Sequence, residues 1–566
     1  MNALPASGTR PRNNGLALAS AGLVAACTTL GGGTHSGFLG DVILQLLSIP
    51  VLVWGAVSIG RSSRGVISSF GLAIAAAAVL LPIVQLVPLP HGLAFPGKAQ
   101  TQAAEIRQLV LNGPDAATTS VALYPSILAL LSALPPLAVF VSISALDRPS
   151  RRLSTLVVLM VGAASVFLGL LQVAQGPASV LRLFSITNPS EAVGFFANRN
   201  HFSAFLYVLM LLTAAWSIDA GNRFASAPAH RRSEARHALP LLATLVLVVI
   251  VVAAQTFARS RAGLGLAIAG LMCAGLLAAT GQAKRDGVAP SSRLVLAAGL
   301  FGALLAVQFA LFRILERFEA DALSDARIPF ARNTWEAAMS HLPLGAGLGS
   351  FVQVYGLFEH PVDTLLDTYA NRAHNDFLEL WLEVGIVAPA LLACFIVWLL
   401  VAASRAWRTP DGGRIDVDVL LARASSVAVL LLLAHSFVDY PLRTTALLSM
   451  LALCCGLLMP DTSVARDEEP SSPDTTRVTP SRQPAQERGQ AAQNVPRGLP
   501  NVRARADLSR LPVEWAGHRT MKPEPSPAAK AAPSSGPTSP GERWGAAIDW
   551  PAEWKHIDIK EPDKAD

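Results

Sequence analysis

His374 and Asn375 stand directly before the apolar stretch Asp376 to Ile386, and an imidazole there could accept a proton from a sugar hydroxyl. Polar groups at a water–lipid boundary are costly unless they are used, and an enzyme acting on a lipid-linked substrate would keep its catalytic groups at that boundary. A metal site fits poorly, because His-x-Asp-x-x-Glu matches no zinc spacing and two or three further ligands would be needed. Asp376 and Glu379 form an Asp-x-x-Glu pattern that reads as a capping box, leaving His374 just outside a helix N-terminus that favours anions. Glu383 lies one turn deeper and must be neutral or paired, with a structural ion pair and a catalytic carboxylate equally open.

A second group lies in Gln255-Thr256-Phe257-Ala258-Arg259-Ser260-Arg261-Ala262-Gly263, where Arg259 and Arg261 flank a tight turn between apolar runs. Guanidinium groups offer planar, multidentate donors suited to pyrophosphate oxygens. Snorkelling to headgroups, or pairing with Glu383 or Asp439, is the alternative. Arg372 adds a cation two residues before His374. Asn198-Arg199-Asn200-His201 opens one apolar run, and Asp439-Tyr440-Pro441-Leu442-Arg443 joins the last two. By position, Asn198, Asn200, Asn375 and Arg443 join Arg259, Arg261 and Arg372 as candidate substrate-binding residues, with His374 and Glu383 as candidate catalytic residues.

The elements holding these groups are membrane helices. Hydrophobic residues make up 52% of the 566, charged residues only 15%, and mean hydropathy is +0.44, which excludes an ordinary soluble domain. Runs long enough to cross a bilayer, roughly 17–25 residues, occur near 15–33, 41–59, 66–88, 121–146, 153–175, 201–217, 239–257, 262–280, 293–312, 377–402, 418–437 and 441–459. The expectation is an all-α polytopic membrane protein of about twelve transmembrane helices. Basic residues gather in alternate loops, at Arg61/Arg64, Arg148/Arg151/Arg152, Arg223/Arg231/Arg232/Arg236, Lys284/Arg285 and Arg405/Arg408/Arg414, which predicts those loops and both termini in the cytoplasm. The candidate site residues then fall on the extracytoplasmic side. The net charge of +6 reads as topology signal and contact with anionic lipid, with no nucleic acid required. Cys27, Cys273, Cys394, Cys454 and Cys455 read as small apolar residues without metal spacing. Arg10 and Arg12 before a run ending in Cys27 look like a lipoprotein signal, yet an ordinary first span is the preferred reading.

Outside the spans, 89–120, 176–200 and 313–376 form the extracytoplasmic segments, the last patterned for short amphipathic helices capping the bundle. Within it Pro343-Leu344-Gly345-Ala346-Gly347-Leu348-Gly349 superficially resembles a nucleotide loop, but no strand precedes it and a glycine turn is the better reading. From 461 to 566 the composition turns to Pro, Ser, Ala, Arg and Glu, predicting a disordered cytoplasmic tail. Trp544 to Ile559 is its one candidate docking element for a cytoplasmic partner.

Taken together, His374-Asn375, nine residues and Gly385 resemble the signature of the O-antigen ligase and polymerase superfamily, in which His-Asn, nine residues, Gly, two residues and Gly recur; the second glycine here is Ala388. Leu123-Tyr124-Pro125, Gly194 to Phe202, Ser260-Arg261-Ala262-Gly263, Gly345 to Phe351 and His435 to Arg443 extend the resemblance over about 120–460, so 1–460 is expected to be the ligase-like membrane domain. The resemblance implies metal-independent transfer of a glycan from an undecaprenyl-pyrophosphate carrier to an acceptor hydroxyl at the periplasmic face of the inner membrane, without a cofactor. It implies that His374 assists the acceptor and that Arg261 holds pyrophosphate; Arg259 and Arg372 are added on position and charge. The acceptor could be lipid A–core, another lipid-linked glycan or a protein hydroxyl, with ligase or polymerase preferred. A transporter or flippase would predict internal repeats and broken mid-membrane helices, and no repeat is evident.

Overall fold

The computed structural model describes residues 14–35, 37–60, 65–90, 116–280, 322–364, 369–408 and 415–460. The chain divides into units 1–474 and 475–566, and every described residue lies in the first. The expected span at 293–312 and the tail from 461 fall outside the described residues.

The described residues are all-helical apart from a two-residue antiparallel ladder, β1 (Leu89–Pro90) with β2 (Ala116–Ala117). In chain order the helices are α1 (Asn14–Leu30), α2 (Leu39–Gly60), α3 (Val66–Leu86), α4 (Leu123–Ser132), α5 (Leu134–Ala145), α6 (Arg148–Gln175), α7 (Arg199–Ser226), α8 (Ala235–Ala258), α9 (Arg261–Thr280), α10 (Ala322–Ser340), α11 (Phe351–Tyr355), α12 (Asp376–Val384), α13 (Val387–Trp407), α14 (Val417–His435) and α15 (Thr445–Leu458). Among the described residues nine helices are long and apolar enough to cross a membrane, counting α4 and α5 as one, and α1 and α15 are shorter apolar helices. The protein is therefore an all-α, multi-pass membrane protein.

The centre of the bundle is α7. Its apolar stretch is 94% buried and packs against α8, α9 and α14, whereas α3 and α13 turn most of their surface outward. A helix apolar all round is buried, so α7 fixes the height of its own first turn, where Asn198 to His201 lie. Cys27, Cys454 and Cys455 are buried among apolar neighbours.

One expected span is broken. The run 377–402 reads as a continuous apolar helix, but α12 ends at Val384 and α13 begins at Val387. Gly385 takes φ 62°, and a Cβ there would sit 2.1 Å from the carbonyl oxygen of Pro343. The glycine turn 343–349 lies directly against this break. Ala346 and Gly347 donate their N–H groups to the carbonyls of Leu382 and Glu383, both at 2.9 Å, and the Ile386 N–H returns to Pro343, also at 2.9 Å. These bonds satisfy carbonyls that a helix end leaves unpaired. Gly345, at φ 77°, allows the approach, since a Cβ would meet the Glu383 backbone at 2.5 Å. The loop motif is thus a structural clasp on α12.

Candidate active site

The nine-residue α12 organises the site. Its cap is Asn375, whose Oδ1 accepts the N–H groups of Phe377 (3.1 Å) and Leu378 (3.0 Å). This corrects the capping box expected from Asp376 and Glu379, because Asn375 takes the capping role one residue earlier and releases both carboxylates. Asp376 turns to the Ser436 hydroxyl, which donates at 2.7 Å, and to the Leu442 N–H at 3.2 Å. Glu379 accepts from Arg372 Nη1 at 2.8 Å and from the Ala373 N–H at 3.0 Å.

Asp376, Glu379 and Glu383 stand at i, i+3 and i+7, so they share one helix face, and all three are buried. That face meets Arg443, whose Nη1 lies 2.7 Å from Glu383 Oε2 and whose Nε lies 3.5 Å from Glu379 and 3.6 Å from Asp376. Three carboxylates face two guanidiniums, Arg372 and Arg443, leaving one negative charge in excess. Burial pushes the Asp376 carboxyl up to about 7 against the pull of Arg443, so the excess is relieved by a proton near neutrality. Arg443 and Arg372, candidates for substrate, are thereby engaged in an ion cluster. Both Glu383 oxygens are engaged as well, the second accepting the Gly349 N–H at 2.9 Å.

His374 sits above this cluster in the left-handed backbone region at φ 52°, uncommon for a residue with a side chain and typical of strained functional positions. Phe330 of α10 stacks on the ring with centroids 5.9 Å apart, and Tyr440 meets it edge-on at 4.9 Å. Stacking of Trp335 on Trp381 at 6.3 Å docks α10 onto α12. Nδ1 of His374 lies 3.2 Å from Asp439 Oδ1, and the imidazole side chain is 19% exposed against 1% for the aspartate. Burial raises the Asp439 carboxyl most strongly of any single cause, but the His374 hydrogen bond together with the charges of His374, His201 and His435 outweighs it and holds the group well below the usual carboxylate range. A carboxylate facing Nδ1 makes that nitrogen the donor, and Nε2 then carries the lone pair of the neutral ring.

Asp439 reaches His374 because the segment after α14 is bound to the start of α12. The Asp376 N–H donates to Ser436 at 2.9 Å, and Asn375 Nδ2 donates to the Phe437 carbonyl at 3.1 Å. Asp439 and Tyr440 stand in the stretch His435 to Arg443, yet no role for them is legible in its local pattern. The signal is their register, one helical end shared with His374. Tyr440 also meets His201 edge-on at 4.8 Å. His201 is fully buried at the first turn of α7, and neither of its ring nitrogens has a hydrogen-bond partner among the described residues.

Asn198 caps α7, accepting the Asn200 N–H at 2.7 Å. Arg259 terminates α8 with φ 51°, Ser260 accepts the Gly263 N–H at 3.1 Å, and Arg261 starts α9. This turn is tied to the same end of the bundle: Gln255 accepts from Ser203 of α7 at 2.8 Å, and the Phe257 carbonyl accepts the Ala192 N–H at 3.0 Å. The structure thus gathers His374, Asn375, Asn198, Asn200 and the two turn arginines at one end of the helices. Among the described residues no group of three His, Cys, Asp or Glu could hold a metal ion.

A helical membrane scaffold thus places a strained histidine over a buried ion cluster at one end. Residues 233–393 match the family model described as O-Antigen ligase. The matched segment includes the Arg259–Arg261 turn, the glycine clasp and His374 through the start of α13. No curated protein matches the chain. The match supports a membrane enzyme that transfers glycans in general.

Proposed function

We propose that the protein moves a glycan from an undecaprenyl-pyrophosphate carrier to an acceptor hydroxyl at the periplasmic face of the inner membrane, as an O-antigen ligase or a surface-polysaccharide polymerase. The observation carrying this reading is the His374–Asp439 pair. Nε2 of His374 takes the hydroxyl proton as the acceptor oxygen attacks the anomeric carbon. The bond from that carbon to the carrier oxygen breaks, and undecaprenyl pyrophosphate leaves with the electron pair. Asp439 steadies the imidazolium, which later gives its proton to water. Arg259 and Arg261 meet the charge that develops on the leaving group, where guanidinium donors act chiefly in the transition state. Asn198, Asn200 and Asn375 hold the surrounding backbone, and Arg372, Arg443 and Glu383 keep α12 at the height His374 needs. No step requires a metal. The alternating basic loops support both termini, with the tail from 461, in the cytoplasm.

The test is transfer by the full chain in nanodiscs, with an undecaprenyl-pyrophosphate oligosaccharide as donor. Lipid A–core, a second lipid-linked glycan and a hydroxyl-bearing peptide serve as acceptors, and product and released undecaprenyl pyrophosphate are measured. Expected is transfer to one of the two glycan-type acceptors, with His374→Ala and His374→Gln slowed by about 10²–10⁴. A His374→Gln variant with near-native rate removes the general-base assignment. Transfer to the peptide alone replaces the ligase or polymerase reading.

A further inference from the structure

The opposite end of the bundle holds a second cavity of about 510 Å³. It lies where α13 ends and α14 begins, while His374 stands against the segment that follows the end of α14, so the length of α14, 19 residues or about 28 Å, separates the two. The far ends of α6 and α15 complete it. Arg151 joins them by donating to the carbonyls of Leu146 (2.9 Å) and Met459 (2.7 Å).

Among the described residues the lining of this cavity carries five arginines and one carboxylate. Its one lining carboxylate, Asp418, is taken by Arg152 through two bonds of 2.7 and 2.6 Å. Arg148, Arg405 and Arg408 also line it, are exposed, and have no carboxylate partner among the described residues. Arg148 is the first residue of α6, where helix N–H groups add to the attraction for an anion. The remaining wall is apolar, formed by Ile67, Leu457, Leu458 and Met459 among others, and α13 above it presents Val397, Leu400 and Val401 outward.

Three exposed guanidiniums without a carboxylate partner among the described residues, set against an apolar wall, fit an amphiphile with an anionic head better than free phosphate. We propose that this cavity binds the phosphodiester headgroup of an anionic phospholipid, with its acyl chains along the outer face of α13. Basic pockets between membrane helices recognise such headgroups through charge that acts within a Debye length. The site is separate from the glycan-transfer site and does not depend on that assignment.

The test uses the delipidated full chain in detergent, titrated with phosphatidylglycerol, phosphatidylethanolamine or inorganic phosphate and read by native mass spectrometry and melting temperature. Phosphatidylglycerol should bind and stabilise, and Arg148→Gln/Arg405→Gln/Arg408→Gln should weaken it at least about tenfold. Arg231→Gln/Arg232→Gln/Arg236→Gln, removing equal charge from the α7–α8 connection, should leave binding within about twofold. If the first variant is not monodisperse, Arg148→Gln and Arg405→Gln singly carry the test, each expected to weaken binding several-fold. Equal binding of phosphatidylethanolamine, displacement by millimolar inorganic phosphate, an unaffected cavity variant or an equal loss in the control loop each overturns the proposal.

Discussion

Nδ1 of His374 faces Oδ1 of Asp439 at 3.2 Å, and the aspartate is buried to 1% side-chain exposure. The carboxylate therefore selects the ring nitrogen that carries the proton. Asp439→Asn keeps the shape but loses the charge, so transfer should fall about 10²-fold or more with little change in acceptor KM, and the pH–rate profile should shift. A parallel loss of melting temperature and activity, with the profile unmoved, would make Asp439 a packing residue only.

The two turn arginines are separable by their backbones. At φ 51° Arg259 occupies a conformation that glycine adopts without cost, so Arg259→Gly should keep the backbone of the turn and the membrane yield while transfer drops several-fold. Arg261→Lys should be nearly as slow as Arg261→Ala, because an ammonium cannot reproduce a bidentate guanidinium contact. Recovery of most activity by lysine would reduce Arg261 to a general positive charge.

The ion cluster on α12 gives a pH signature. An Asp376 carboxyl raised from 3.8 to about 7 means the folded state binds more protons than the unfolded chain between those values. Stability from this group is then greatest at the acid end of that window and falls as pH rises through it. Asp376→Asn should flatten the decline in melting temperature between about pH 5 and pH 8. An unchanged slope would assign the titration to another group.

Gly385→Ala places a Cβ 2.1 Å from the Pro343 carbonyl at a left-handed position, so the clasp must open. Membrane yield or melting temperature should drop markedly, by a cost above the ~1 kcal/mol of an ordinary substitution. Ala388→Gly, which changes only a buried small residue, should be mild by comparison.

Much of the helical frame is legible in the apolar runs, because length and hydropathy alone decide whether a segment can cross a bilayer. The break at Gly385 is not, since 377–402 reads as one span and the partner that interrupts it, Pro343 to Gly347, lies some forty positions earlier. The capping position shifts by one residue between pattern and structure, as Asn375 and Asp376 are both competent caps and only the tertiary partners Ser436 and Arg443 draw Asp376 away. The role of Arg443 is hidden for a similar reason. Three acids at i, i+3 and i+7 on α12 demand nearby cations, but the chain order does not say that residue 443 returns to supply one. His374 is legible because its neighbours and its boundary position are local.

The clasp at residues 343–347 grips the α12–α13 break through main-chain bonds at Ala346, Gly347 and Ile386, so its hold tolerates wide change in the surrounding side chains. The adjoining stretch, residues 351–364, hangs from that fixed point and acts as a wedge: Phe351, Val354 and Tyr355 are buried, and Tyr355 meets edge-on the Phe330 ring that stacks on His374, so a change of volume there is passed to the histidine.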